Sequence, residues 1–319
     1  MAIVANTFQT YQSIGTREDL ANTIYNISPS DTPFMSMCGR SKAKNTLHEW
    51  QTDSLAAVAA NAQIEGDEYS FAAVTPTVRH GNYTQISTKT VIVAGTQQAV
   101  DNAGRDSEMA YQLAKNSKAL KRDMESALTG KVAKAVGATG TARKLGGYET
   151  WIKTNSSRGG GSPAGADPAS YGAAPTDAQN KRDLTEALLK TVIQSCYTNG
   201  GEPSVIMVGP VNKGKISGFT GRASARQMIN ETKIQAAADL YSSDFGDLKV
   251  IPNRFSREQT CYVIDPEFWK VAYLRDFKQE EVAKTGDAIK RALLVEYTLV
   301  AANDASSGVV ADLTITNVK

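Results

Sequence analysis

The chain has 319 residues, 41% of them apolar and 21% charged, with a formal net charge of +2. That length supports two cores at about 150 residues each, and the composition is that of a globular protein rather than a disordered or fibrous one. The near-neutral charge excludes a globally basic nucleic-acid binder. No apolar run approaches the ~20 residues of a spanning helix, so no membrane partner is expected.

The first residues, Met-Ala-Ile-Val-Ala-Asn-Thr, lack a basic n-region followed by an apolar h-region and do not read as a secretory signal. Cys38, Cys196 and Cys261 are odd in number and far apart, which argues for folding under reducing conditions without a disulfide framework.

Residues 16–37 read as an arm. Thr16 caps a short helix with Asp19 near its third position, and Leu20, Ile24 and Ile27 fall three and four apart on one narrow apolar stripe. Pro29 stops that helix, because the residue before a proline is pushed out of the α region. Ser28-Pro29 and Thr32-Pro33 continue as an extended segment that carries Phe34, Met35 and Met37. Neither a lone short helix nor a proline-stiffened strand can bury these side chains. They need a partner surface, elsewhere in this chain or on a neighbouring copy. Ile24, Ile27, Phe34 and Met35, with Trp50 from the next segment, are the expected inter-subunit contacts. Deleting residues 1–37 is expected to leave a folded subunit.

Residues 45–55 and 75–94 are rich in Thr, Val, Ile, Tyr and Trp. In the second run Tyr83, Gln85, Ser87 and Lys89 alternate with Thr84, Ile86, Thr88 and Thr90, which is strand periodicity. With the small-residue stretch 56–67 as a mobile tip, they predict a long hairpin. A ribbon so polar on both faces is marginal alone and points towards a neighbour.

The strongest periodicity follows. Met109, Leu113, Leu120, Met124, Leu128, Val132 and Val136 recur at helical spacing and predict a rod of roughly 45 Å. Asp106 and Glu108 near its start and Lys131 and Lys134 near its end suit the helix dipole. Lys115, Lys118, Lys121 and Arg122 read as a solvated face balanced by Asp123 and Glu125, the other reading being a phosphate-binding face.

Residues 156–175 are rich in Gly, Ala, Ser and Pro and read as a loop or linker. It closes at Thr176-Asp177-Ala178-Gln179, a capping box for a helix running to Tyr197 and stopping at Asn199-Gly200-Gly201. Short strands follow at 204–208, 248–252, 260–264 and 271–275, a longer one at 290–301 and a last one at 309–318. This half is α/β or α+β.

No catalytic, cofactor or metal site emerges. Residues 209–216 keep the G-x-x-x-x-G-K spacing of a phosphate-binding loop, but Ile216 stands where the magnesium-binding hydroxyl belongs and Pro210 removes a backbone donor. His48 and His80, the two histidines, have no companion at metal-ligand spacing.

The order of parts resembles the major capsid proteins of tailed bacteriophages with the Hong Kong 97 fold. Three stretches carry the likeness. The first is Arg17-Glu18-Asp19-Leu20 through Thr32-Pro33-Phe34-Met35; the second is Tyr241 to Gly246 with Val250-Ile251-Pro252-Asn253-Arg254-Phe255. The third comprises Leu274-Arg275, Ala283 to Asp287, Glu296-Tyr297-Thr298-Leu299 and Asn303. The resemblance implies an α+β chain with an N-terminal arm (1–44), an extended β-hairpin loop (45–95) and a peripheral domain with a long spine helix (96–155). After these come the Gly/Pro/Ala-rich loop (156–177) and an axial domain with C-terminal strands (178–319).

It also implies a shell of hexamers and pentamers enclosing double-stranded DNA without sequence-specific binding, in the virion, after synthesis in the host cytoplasm. No long charged helical segment precedes the arm, so a separate scaffolding protein is the expected partner, with portal and decoration proteins. Two alternatives stay open, an encapsulin-like nanocompartment shell and a P-loop nucleotide hydrolase that would need Lys215.

Overall fold

The computed structural model describes residues 31–66, 68, 71, 73–102, 104–219 and 239–315. Its first half contains α1 (Pro33–Met37), β1 (Gly39–Lys42), β2 (Leu47–Thr52), β3 (Val78–Tyr83), β4 (Gln85–Ala94), α2 (Gly95–Ala99) and α3 (Glu108–Leu128). After β5 (Ser156–Ser157) come α4 (Glu186–Thr198), β6 (Val205–Val208), α5 (Pro210–Ser217), β7 (Leu240–Ser243), β8 (Gly246–Pro252) and β9 (Cys261–Ile264). The last elements are β10 (Trp269–Val282), β11 (Ala288–Ala301) and β12 (Gly308–Val310).

The strands form a four-stranded sheet in the order β1-β10-β11-β4, a six-stranded sheet in the order β5-β12-β9-β6-β8-β7, and the β2-β3 pair. Four of the strands expected in the second half are present within a few residues; the one expected at 271–275 runs on to Val282, and of the one expected at 309–318 only β12 forms among the described residues. The short edge strand β7 went unpredicted.

Thr32-Pro33 opens a helix instead of extending the arm. Pro33 occupies the first turn, where its missing N–H is no loss and its fixed φ is already helical. The arm's predicted first helix, with Leu20, Ile24 and Ile27, lies outside the described residues.

The predicted second hairpin strand divides at Thr84. Up to Tyr83 it pairs with β2, and from Gln85 it pairs with β11. Thr84 is fully buried and donates its hydroxyl to Glu296 at 2.8 Å, so the run turns at a polar anchor that its alternating pattern does not mark. The second half of the run therefore has a surface to pack on: Val91 and Val93 face Met109 and Leu113 of α3.

The long helix is shorter than its periodicity. Ser107 caps α3 by accepting from the Ala110 amide, and the helix ends at Leu128, giving about 31 Å. Just beyond its end, the backbone of Gly147 passes so close that an added Cβ would lie 2.3 Å from the Gly130 carbonyl oxygen. Val132 and Val136 consequently sit outside the helix and are exposed. Lys131 and Lys134 leave its last turn to bind the Asp177 carboxylate and the Gly81 carbonyl oxygen.

The loop after Ser157 is pinned. The Asp312 carboxylate accepts from the amides of Gly159 at 3.0 Å and Ala178 at 2.8 Å and from the Lys181 ammonium at 3.2 Å. This explains why the capping box at 176–179 starts no helix. The Ala178 amide goes to Asp312, that of Thr176 to Ala166 and that of Gln179 to Pro163. Thr185 caps α4 instead.

Strand β6 shows how the core is shared. Val205 and Met207 face a cluster that joins α1 and α3 to Tyr148, Trp151, Trp269 and Tyr297. Ile206 and Val208, on the other face, pack with Leu189, Val192 and Ile193 of α4 and Ile216 of α5. The larger cluster reaches strands of both main sheets, so the two halves share one apolar interior.

Candidate functional site

The base of the arm is anchored inside its own chain. Phe34 is fully buried, with ring centroids 5.8 Å from Tyr148 and 6.5 Å from Trp269, both edge-on. Of the two partner surfaces open to this side chain, it takes the one within the chain, which corrects its assignment to a neighbouring copy. Deleting residues 1–37 would remove a core side chain along with the arm.

Glu125 holds this turn in place. Its Oε1 accepts from the Phe34 amide at 2.7 Å and from Asn253 Nδ2 at 2.7 Å, and its Oε2 accepts from the Met35 amide at 2.9 Å. Glu125 is fully buried in α3 and so does not balance the lysine face as expected; on that face Asp123 pairs with Lys89. Burial pushes the Glu125 pKa up from the ordinary glutamate value, and the three donors pull it back only in part. One carboxylate thus ties arm base, long helix and the turn after β8. A charged residue among the apolar positions Met124 and Leu128 was the available signal, and sequence spacing alone does not name its partners.

The other expected contacts fall in different places. Met35 is half-buried against the same cluster. Trp50 is half-buried, its ring centroid 5.1 Å from that of Trp151, and packs on its own chain at the root of the β2-β3 hairpin. Asn82 fixes that root from inside, donating to the carbonyl oxygens of Gly146 and Leu299 and accepting from the Gly146 amide. Ile24 and Ile27 lie outside the described residues. Phe34 and Met35 therefore share an anchor, and Trp50 belongs to another.

The hairpin's tip has the opposite character. Among the described residues between β2 and β3 no helix or strand forms, and Leu55, Val58, Ile64, Phe71 and Val74 are each at least 80% exposed. A monomer rarely displays several large apolar side chains on one projecting segment unless something covers them. The sequence reading took this stretch for a soft, small-residue tip because alanines separate its larger side chains.

Residues 209–216 form a strand–turn–helix connection. Gly209 precedes α5 with Pro210 in its first turn, and Lys215 Nζ donates to Asp183 and Thr314 at 2.8 Å. Substituting Lys215→Ala is expected to leave the chain folded and its nucleotide affinity unchanged, by equilibrium dialysis with ATP and magnesium. ATP binding by the wild type that the substitution abolishes would restore the hydrolase reading. The three cysteines are buried, Cys196 and Cys261 with thiols raised by burial to about 12, the opposite of activation. Among the described residues no cluster of His, Cys, Asp and Glu could hold a metal.

The family model for the SU10 major capsid protein matches residues 3–314. The chain belongs to the SU10 major capsid protein family. It is a major capsid protein of a tailed bacteriophage, with the Hong Kong 97 fold.

The major capsid protein of Escherichia phage Phieco32 is 30% identical, across 95% of this chain and 96% of that protein. Among solved structures, the capsid of cyanophage A-1(L) superposes with a TM-score of 0.66 at 14% identity, over 96% of this chain and 98% of that one. The SrpI encapsulin of Synechococcus elongatus PCC 7942 has a TM-score of 0.55 at 10% identity, covering 95% of this chain and 94% of that one. The fold by itself is thus common to phage heads and nanocompartments, and the family model decides for the phage capsid. As the unit of a shell, the protein self-associates and is a component of the virion.

Proposed function

We propose that this capsid protein forms hexamers and pentamers that close into an icosahedral head, with its arm and extended loop laid over neighbouring subunits. The shell encloses double-stranded DNA by containment, without base-specific contacts, and the subunit carries no catalytic activity. Separate scaffolding, portal and decoration proteins complete the head.

The observation that carries this reading is the apolar tip between β2 and β3, whose five large side chains find no cover among the described residues of their own subunit. Each contributes about 1.5–3 kcal/mol once buried, which is a force for association. The purified chain at high concentration, with scaffold added if needed, is expected to form closed shells under electron microscopy. A monodisperse monomer under all such conditions would overturn the proposal.

A further inference from the structure

The exposed face of α3 carries cations whose expected counter-charges are engaged elsewhere. Its three carboxylates are Glu108, Asp123 and Glu125. Glu108 pairs with Arg105, Asp123 pairs with Lys89 of β4, and Glu125 is buried on the amides of Phe34 and Met35. Lys115, Lys118 and Arg122 are left with no ion pair among the described residues. Lys115 and Lys118 are exposed, and Arg122 is half-buried with its guanidinium 5.0 Å above the Phe255 ring. Next to Phe255, in the turn after β8, Arg254 is exposed and likewise unpaired among the described residues.

Spacings of three and four residues put Lys115, Lys118 and Arg122 on one side of the helix. Across that interval the helix rises about 10.5 Å, and each strand of duplex DNA advances about 3.4 Å per phosphate. The three cations thus span about three phosphates of one strand.

The side chains around the cations separate a phosphate backbone from a protein partner. Ala114 and Ala119 flank them, and no large apolar side chain of α3 is exposed. A protein interface buries an apolar centre inside a polar rim, and this face offers no such centre. Charge without apolar area suits phosphate oxygens, which position a duplex and carry no sequence information. With a net charge of only +2 on the whole chain, the attraction is local to this stripe.

We propose that Lys115, Lys118, Arg122 and Arg254 form a phosphate-binding stripe through which the subunit holds the backbone of duplex DNA inside the shell. The proposal rests on the reading of a DNA-filled shell above and adds to it the residues that meet the duplex.

The test titrates full-length, unassembled chains into fluorescently labelled duplexes of about 24 base pairs, in two unrelated sequences, between 50 mM and 200 mM salt. Three to four phosphate contacts predict that wild-type affinity falls about 40- to 150-fold over that range. Lys115→Gln with Lys118→Gln and Arg254→Gln should weaken binding about tenfold or more at the lower salt and flatten the salt dependence to about one contact. Arg122 is kept because it packs on Phe255. Lys115→Arg with Lys118→Arg and Arg254→Lys, which keep the charge, should bind as the wild type does.

Wild-type affinity in the neutralised variant would overturn the proposal. So would an equal loss on substituting the exposed Lys249, Lys270 and Lys284 by Gln, since net charge alone would then explain binding. A clear preference for one duplex sequence would overturn backbone recognition, and tighter binding of poly-glutamate than of DNA would make an acidic protein the occupant. The neutralised variant is expected to form shells under electron microscopy as the wild type does; their loss would make the face a contact between copies and overturn the proposal. If the wild type forms no shells, the assembly reading fails, while duplex binding that the neutralised variant loses would still support the stripe.

Discussion

Substituting Glu125→Ala is expected to cost the subunit about 3–5 kcal/mol, since it strands three buried donors at about 1–3 kcal/mol each. The carboxylate serves the amides of Phe34 and Met35 and the Asn253 side chain. Each donor left buried without an acceptor costs about 1–3 kcal/mol, and relaxation around the small cavity decides where in the range the sum falls. Urea unfolding of unassembled subunits, followed by the fluorescence of buried Trp151 and Trp269, measures it. A loss below about 1 kcal/mol would show that water replaces the carboxylate and that the anchor is not structural.

Glu125→Gln should lose less, since it keeps the shape but turns one acceptor into a donor. The pH dependence has a definite sign. Burial raises the Glu125 pKa in the folded chain, so the folded state holds that proton more tightly than the unfolded state does. Its contribution is fully present below the ordinary glutamate range and is lost as pH rises through the folded value. The stability advantage of the wild type over Glu125→Gln is therefore expected to shrink as pH rises above the ordinary glutamate range. An advantage that grew with pH would mean that the three donors outweigh burial.

These anchors mark the limit of what the chain shows in one dimension. The strands around Val205–Val208 and Cys261–Ile264 are legible because short apolar runs lie between turn residues, and both are fully buried. The long helix α3 is legible from its period. Its end is not, because Val132 and Val136 continue that period by chance, while the stop comes from the Gly147 backbone crossing Gly130.

The capping box at 176–179 misleads for a related reason. Its Ala178 amide is claimed by Asp312, distant in sequence and close in space, and those of Thr176 and Gln179 by carbonyl oxygens within the loop. Phe34 looked like an unsatisfied arm residue because no local pattern shows that Tyr148 and Trp269 wait for it. Family resemblance recovered the architecture where spacing could not, and the apolar character of the projecting tip was legible by neither route. An alternation of alanines with larger apolar residues reads as soft sequence until the absence of a covering element is visible.

Replacing residues 54–76 by a short Gly-Ser turn is expected to change subunit stability by less than about 1 kcal/mol, as surface changes do, and to abolish shells. The first half follows from the anchoring of the hairpin root. Trp50 and Asn82 hold it to the body, and Leu55, Val58, Ile64, Phe71 and Val74 belong to no core cluster.

The second half follows from opposing magnitudes. Burying those five side chains gains about 1.5–3 kcal/mol each, whereas ordering the segment costs about 1–2 kcal/mol per residue in backbone entropy. A single loop on a single neighbour is therefore weak, and backbone hydrogen bonds along an open strand edge must add to it. Closure of a ring, which makes each later contact intramolecular, then converts many marginal contacts into one stable shell. Without the tip, every such contact disappears at once. Circular dichroism and urea unfolding report on the subunit, while sedimentation velocity and electron microscopy report on shells. Shells of normal yield from the shortened chain would mean that the tip is not the clasp, and an unfolded product would mean that the tip supports its own subunit.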